Sequence, residues 1–142
     1  MPDTAATWSH HATFEATPIS ASHARAFVSG HLVEHRLLYL VDPVRLVASE
    51  LATNAVVHAS TAFRVTLAGL GETVLLTVRD ESRSTLSRRP AHAMDESGRG
   101  LEIVNIVSLA WGINEDAAGS KAVWASFAMR APRSSGPFDV KA

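Results

Sequence analysis

An amphipathic helix between residues 43 and 59 is the feature that limits the possible folds most strongly. Asp42-Pro43 is typical of a helix start, in which an aspartate caps the first turn and proline takes the first helical position. At about 100° per residue, one arc of the helix is apolar and contains Val44, Val47, Ala48, Leu51, Ala55 and Ala59. The opposite side is predicted to face water and contains Arg45, Ser49 and Thr53.

A row of polar side chains lies at the edge of this apolar arc, where side chains are expected to be partly buried. Glu50, Asn54 and His58 recur at spacing four, and the row is flanked on both sides by apolar residues, namely Val47, Leu46 and Val57. Partial burial of such groups costs roughly 1–3 kcal/mol unless they find partners. Amide and carboxylate oxygens suit magnesium, so the row is consistent with a metal ion, a bound water or a polar ligand. A hydrogen-bonded pair that closes the helix onto a strand explains it equally well.

The rest of the chain predicts strands grouped around helices. A strand over 7–16 precedes a helix that opens at Pro18 and Ser20 and runs to about Arg36. Two strands, 62–68 and 73–80, form a hairpin through the turn residues 69–72. A helix over 101–108 and strands over 109–115 and 121–129, joined by a turn at 116–120, complete the order. This pattern predicts an α+β two-layer sandwich in a single domain, residues 1–129, with a loose tail at 130–142.

Residues 81–97 are the long exception to this pattern, since a loop of this length in a compact domain is usually functional or disordered. The first helix contains the apolar residues Phe27, Val28 and Leu32, and Leu38 lies nearby. We favour core packing as the role of these residues over a dimer or partner surface.

Composition excludes several classes of function. Lys and Arg number 13 against 14 Asp and Glu, so the net charge of −1 argues against direct nucleic-acid binding. Without cysteine, the chain has no disulfide framework, zinc finger or thiol nucleophile, which is compatible with the cytoplasm. The N-terminus does not resemble a signal peptide, and the apolar stretch 103–113 is too short to span a bilayer. The seven histidines are scattered, and the adjacent His10-His11 pair would point to opposite faces of a strand, so a histidine metal site is disfavoured.

Two further places suggest a ligand. Asp80 is the last residue of a predicted strand, and a carboxylate in this position either binds a ligand or caps the strand end. Gly98-Arg99-Gly100 precedes a helix, where glycine amides either hold phosphate or form a flexible turn. Taken together with Glu50 and Asn54, these places predict a magnesium–nucleotide pocket.

Four segments carry a family resemblance: ELATNAVVHA (50–59), VRDES (78–82), ESGRGLEIV (96–104) and GSKAVWASF (119–127). They resemble the GHKL-type ATPase domain over about residues 8–129, and especially the stand-alone anti-sigma factors and serine protein kinases of bacteria, of the actinobacterial type. The resemblance implies the GHKL (Bergerat) sandwich, with a mixed, mostly antiparallel sheet and helices on one face.

The resemblance also implies roles for individual residues. Asn54 would coordinate the Mg²⁺ that bridges the phosphates of ATP, Glu50 would be the general base, and Asp80 would accept a hydrogen bond from the adenine amino group. The 81–97 loop would be the lid over the nucleotide. The hinge of this lid and the phosphate contacts would be Gly98, Arg99 and Gly100. The last motif begins at Lys121, and His58 occupies a position that is often histidine in this branch.

Two departures weaken the nucleotide interpretation. The family's Asp-x-Gly-x-Gly is here Asp80-Glu81-Ser82-Arg83-Ser84, and side chains at 82 and 84 would be expected to crowd the adenine-binding surface. The family's usual threonine, which binds adenine through a water, is replaced by Ala122.

Three functions follow as alternatives. The first is an ATP-dependent anti-sigma factor and serine/threonine kinase. It would be cytoplasmic and homodimeric, with a sigma factor and an anti-anti-sigma (STAS-type) protein as partners and no contact with nucleic acid or membrane. The second, favoured by the departures, is a non-catalytic partner-switching protein with weak or no ATP binding. The third, a two-component sensor module, is disfavoured because the sequence shows no dimerisation helix pair and no sensor domain.

Overall fold

The protein folds as a five-stranded sheet with helices on one side. The computed structural model describes residues 6–59, 61–80, 98–115 and 119–129. In chain order the elements are β1 (Trp8–Phe14), α1 (Ile19–Glu34), α2 (Val41–Asn54), β2 (Phe63–Leu70), β3 (Thr73–Asp80), α3 (Gly98–Val107), β4 (Ala110–Glu115) and β5 (Lys121–Ala128). A 3₁₀ turn, Leu38–Leu40, leads into α2, and a π-helical turn, Ala55–Ala59, follows it. The predicted loop 81–97, most of the turn at 116–120 and the tail 130–142 lie outside the described residues.

The sheet order is β1-β2-β3-β5-β4. Each of its four strand pairings is antiparallel among the described residues, in agreement with the predicted mostly antiparallel sheet; the parallel pairing that a mixed sheet would add is not among them. The predicted α+β class and the β2–β3 hairpin are confirmed.

The hairpin turn is shorter than the predicted 69–72, because β2 continues through Leu70 and only Gly71 and Glu72 lie outside the strands. Gly71 has a φ of 60°, a left-handed conformation that glycine adopts without strain.

The core lies between the helices and one face of the sheet, which we call the inner face. The inner-face side chains of the central strands are buried and include Phe63, Val65, Leu67, Val74, Leu76 and Val78. Facing them, α1 contributes Ala24, Val28 and Leu32, and α2 contributes Val44, Val47, Ala48 and Leu51, as the helical periodicity predicts. Val28 and Leu32 therefore serve the core, whereas Leu38 is 66% exposed.

Two predicted helix starts need correction. Asp42 does not cap α2, because the 3₁₀ turn leads directly into the helix and Leu40 takes the N-cap position. Asp42 lies in the first turn instead, where its negative charge interacts favourably with the positive end of the helix dipole. The last helix, α3, begins at Gly98, three residues before the predicted start at 101.

Gly69 provides a direct test of how β1 packs on the sheet. A Cβ at this position would overlap the indole of Trp8, which lies across the glycine. We expect Gly69→Ala to lower the free energy of unfolding by about 1–3 kcal/mol, because the indole must move. In Gly30→Ala, a helical control with nothing within 4 Å of the new methyl group, we expect a gain of about 0.5–1 kcal/mol. Urea denaturation measures both, and equal midpoints for the two variants would contradict the packing.

Candidate nucleotide-binding site

The polar row on α2 lies at the boundary between the core and solvent. Glu50 and Asn54 are half-buried, one helical turn apart, as the sequence predicts. The row is not enclosed by apolar groups on both sides, since Leu46 is 41% and Val57 60% exposed. The row therefore has a buried side, formed by Val47, and an open side from which a polar ligand has access.

The opposite side of α2 also differs from its prediction at one position. Arg45 and Thr53 are exposed, as expected, but Ser49 is half-buried. The guanidinium of Arg25 on α1 donates a hydrogen bond to Ser49 Oγ at 3.0 Å. Ser49 thus contributes to the contact between α1 and α2 and does not belong to the solvent face.

The α-helix ends at Asn54, and the next five residues form a π-helical turn. A continuous α-helix to residue 59 had been predicted, and the segment contains neither the glycine nor the proline that would have signalled a change. A π-helical turn widens the backbone, and such turns occur frequently at functional sites. It holds His58 half-buried on the chain segment that leads from Asn54 to the sheet.

Asp80 is the buried carboxylate of the inner face. It is 4% exposed at the last position of β3, with Phe63 of β2 and Lys121 of β5 as its register partners. Residues paired in this way lie on the same face of a sheet with Cβ atoms about 5 Å apart. Lys121, half-buried, therefore brings a positive charge to the same place as the Asp80 carboxylate.

The end of α2 and the end of β3 meet at one end of the sandwich. The π-helical turn contacts β3. Only residues 60–62 separate this turn from Phe63, the register partner of Asp80. A connection this short spans at most roughly 14 Å. The structure thus brings the polar row and Asp80 to the same end, as a single ligand pocket requires.

The glycine segment forms the first turn of α3, since the helix begins at Gly98 and includes Arg99 and Gly100. The first four amide groups of a helix have no partner within the helix and attract anions. The ten-residue helix α3 has such amides in its first turn, and it packs against α2, the helix that contains the polar row. The serines that replace the family's glycines, Ser82 and Ser84, lie outside the described residues.

Ala122 lies on the other side of the sheet from Asp80. Its register partner is Arg79, and alternate residues of a strand point to opposite faces. Its neighbours on that outer face include Trp124 and Asn114. A threonine at position 122 would consequently not lie beside Asp80, and Lys121 is the residue of this motif that does.

A second group of titratable side chains, which the sequence analysis missed, lies between β1 and α1. It consists of His10, His31, Glu34 and His35. Burial, and secondarily the neighbouring imidazoles of His31 and His35, lower the pKa of His10, against the opposing effect of Glu34. A hydrogen bond from His31 lowers the pKa of Glu34. Spacing four between His31 and His35 was the available signal, since it places both rings on one helix face.

An α+β sandwich with oxygen donors at one end of its sheet has the groups that a nucleotide-binding domain needs, but this fold alone does not define a function. A protein-family model described as the histidine kinase-like ATPase domain matches residues 14–125. The chain belongs to this family, and membership implies that it binds ATP. The matched region contains each of the residues from Glu50 to Lys121 discussed above. A search of curated proteins finds no match.

The residues at this end of the sandwich fit the nucleotide and ion that the family implies. The half-buried Glu50 and Asn54 offer hard oxygen donors of the kind that Mg²⁺ prefers. The buried Asp80 carboxylate is an acceptor suited to an amino group. Among the described residues, none of the helices is both long and apolar enough to cross a bilayer.

Proposed function

We propose that this protein is an ATP-binding anti-sigma factor with serine/threonine protein kinase activity. It phosphorylates an anti-anti-sigma antagonist and sequesters a sigma factor. The observation that carries the proposal is the placement of Glu50 one turn before Asn54 on a half-buried row, at the end of the sandwich where Asp80 is buried. A carboxylate beside the residue assigned to the phosphate-bound ion is what transfer to a hydroxyl requires, because the hydroxyl must lose its proton.

Each of these side chains has a separate task. The Asn54 amide oxygen would hold Mg²⁺, and the Asp80 carboxylate would accept a hydrogen bond from the adenine amino group. When bound, Mg²⁺ neutralises charge that develops on the phosphates. Glu50 accepts the proton of the antagonist's serine as the serine oxygen bonds to the γ-phosphorus and the bond to ADP breaks.

The first turn of α3 and the start of β5 complete the proposed pocket. The amides of Gly98 and Gly100 hold the phosphates, and Arg99 accompanies them on the same turn. Lys121 contributes positive charge beside Asp80. Together these groups favour a polyanionic ligand with an amino-bearing base.

Exposed apolar side chains support the binding of protein partners. Tyr39 is 41% and Leu109 64% exposed, and both line a shallow groove with Pro43 and Val107. Leu38, next to this groove in the chain, is 66% exposed. Apolar groups exposed together are typical of protein-binding surfaces. We assign such surfaces to the sigma factor, the STAS-type antagonist and a second copy of the chain, all within the cytoplasm.

Phosphorylation of the antagonist tests the proposal. The purified chain is incubated with Mg·ATP and, one at a time, the STAS-type proteins encoded in the same genome, and the products are analysed by mass spectrometry. We expect one antagonist to gain a phosphoryl group on serine or threonine and to lose its affinity for the chain.

The alternative gives a different result in the same experiment. The serines at 82 and 84 in place of glycines favour a non-catalytic partner-switching protein. In that case an antagonist binds the chain but is not phosphorylated at any ATP concentration, and the kinase assignment is wrong.

A further inference from the structure

We propose that a proton on His10 releases the sheet-edge strand β1 from helix α1, so that the contact between these two elements is a pH-sensitive switch. The switch is the histidine cluster, which consists of His10 on β1, His31 in the last turn of α1 and His35 at its C-cap. Among the described strands, β1 pairs with β2 alone, because it is first in the sheet order. The contact with α1 is therefore the second attachment of this strand, and the imidazoles lie within it.

His10 and His35 share a single hydrogen. Their Nε2 atoms are 2.9 Å apart, so one nitrogen donates a hydrogen bond and the other accepts it. If both nitrogens carried a proton, the N–H groups of two cations would face each other at this distance. The hydrogen bond therefore persists when one of the two rings is charged and is lost when both are.

His10 and His31 are in face-to-face contact. Their ring centroids are 3.8 Å apart, and the ring planes are nearly parallel at 9°. Two imidazolium rings in this arrangement repel each other, and because both side chains are half-buried, less water screens the repulsion. His10 thus contacts an imidazole on each of two sides, and neither contact is stable with a charge on both of its rings.

The two histidines of α1 have neighbours that accommodate a positive charge. His31 Nδ1 lies 2.8 Å from Glu34 Oε1, and Trp8 stacks on His35 with a centroid distance of 3.8 Å. A carboxylate pairs with a charged imidazole, and the face of an indole attracts a cation. Both histidines also lie at the C-terminal end of α1, where the helix dipole favours positive charge. A charge on either ring therefore adds to the repulsion that a charged His10 meets.

The direction of the pH effect follows from the groups that face His10. Its neighbours on the inner face of β2 are not titratable and comprise Val65, Leu67 and Gly69. Burial first, and then the two imidazoles of α1, lower the pKa of His10, with Glu34 acting against them. When β1 is released, His10 regains the ordinary imidazole pKa of about 6.5, so the released strand binds a proton that the docked strand does not. Acid therefore favours release, beginning near pH 6.5 and ending at the pH where His10 is protonated in the docked strand as well.

Release of β1 would uncover the edge of β2. The backbone groups of Phe63 to Gly69 that now pair with β1 would be exposed, and an open strand edge is a template for pairing with a further strand. Phe14, at the end of β1, also packs against Phe63, the register partner of Asp80. Release would consequently remove packing beside the buried carboxylate.

Native-state hydrogen exchange of the full chain tests the switch, with amides followed by NMR between pH 7.5 and pH 5 and corrected for the intrinsic pH dependence of exchange. We expect the amides of β1 to exchange faster than those of the β3–β5 pairing at each pH, because β1 opens while the rest stays folded. One proton taken up on release changes their protection by at most about tenfold per pH unit, and we expect a loss of roughly 3–10-fold between pH 6.5 and pH 5. Glu34 does not contribute, because the hydrogen bond from His31 lowers its pKa and keeps it ionised over this range.

Two variants isolate the contribution of His10. In His10→Gln, which keeps a hydrogen-bonding group but cannot titrate, the loss of protection between pH 6.5 and pH 5 should disappear. His11→Gln, the matched control, changes the neighbouring histidine, which is exposed on the outer face, and should keep the wild-type loss. A loss in His10→Gln equal to that in His11→Gln would overturn the proposal, as would equal protection of the β1 and β3–β5 amides.

Histidine ring resonances of the wild type decide the matter if His10→Gln does not dock β1 at pH 7.5. His10 should take up its proton at a lower pH in the folded chain than in the chain unfolded in urea. The same titration midpoint in both states would show that docking does not depend on this proton, and the switch would be excluded.

Discussion

Asn54→Ala is expected to abolish the rise in unfolding temperature that Mg·ATP produces. For the wild type, ligand at a hundred times its dissociation constant adds roughly 2.7 kcal/mol of stability. In a domain of this size the unfolding midpoint should rise by on the order of 10 °C. The amide oxygen of Asn54 is the proposed ligand of the ion at the phosphates, so its removal should eliminate most of this shift. Differential scanning fluorimetry with ATP, with and without magnesium, measures the effect.

Thr53→Ala is the matched control, because Thr53 is the preceding residue of the same helix and is exposed on the opposite side. This variant should keep the whole nucleotide-dependent shift. A shift in Asn54→Ala equal to that of the wild type would exclude Asn54 from the pocket. If the wild type shows no shift at millimolar ATP, the side chains that replace the family's glycines after Asp80 have closed the site.

Glu50→Gln is expected to lower the rate of phosphoryl transfer to the antagonist by about 10²–10⁴-fold, because the amide cannot accept the serine proton. The nucleotide-dependent thermal shift should remain, since Glu50 is assigned to the proton and Asn54 to the ion. Single-turnover transfer from labelled ATP measures the rate. Glu15→Gln, which changes an exposed glutamate next to β1, serves as the control. Unchanged transfer in Glu50→Gln would remove this residue as the base.

Local patterns predicted the central part of the fold well. The turn residues after the alternating segment 62–68 placed β3 at 73–80, and the helical spacing of apolar residues predicted the buried face of α2. These features depend on residues close together in sequence. The half-burial of Glu50 and Asn54 followed from the same geometry, because a position at the edge of an apolar arc determines its exposure.

The sequence could not supply features that depend on distant partners or on small differences in backbone energy. The π-helical turn after Asn54 contains no residue type that would have predicted it. Ser49 is half-buried and accepts a hydrogen bond from Arg25, which lies 24 residues earlier in the chain. The histidine cluster was missed for the same reason. His10 and His35 are 25 residues apart and meet only when β1 docks on α1. Nor does the motif that contains Ala122 reveal its strand register, which places that side chain on the outer face.

The sheet order also implies a sequence of events during folding. Its centre contains the β2–β3 hairpin, whose contacts are local. By contrast, the contact of Thr7 with Gly69 closes 62 residues and that of Arg79 with Ser120 closes 41. Closing long loops is entropically unfavourable until other contacts compensate, so the hairpin and the preceding helix α2 should form before β1 and β5 are added. Glu50, Asn54 and Asp80 all lie in that early segment, so the proposed base, the amide and the buried carboxylate should come together before the strands on either side of the hairpin are added.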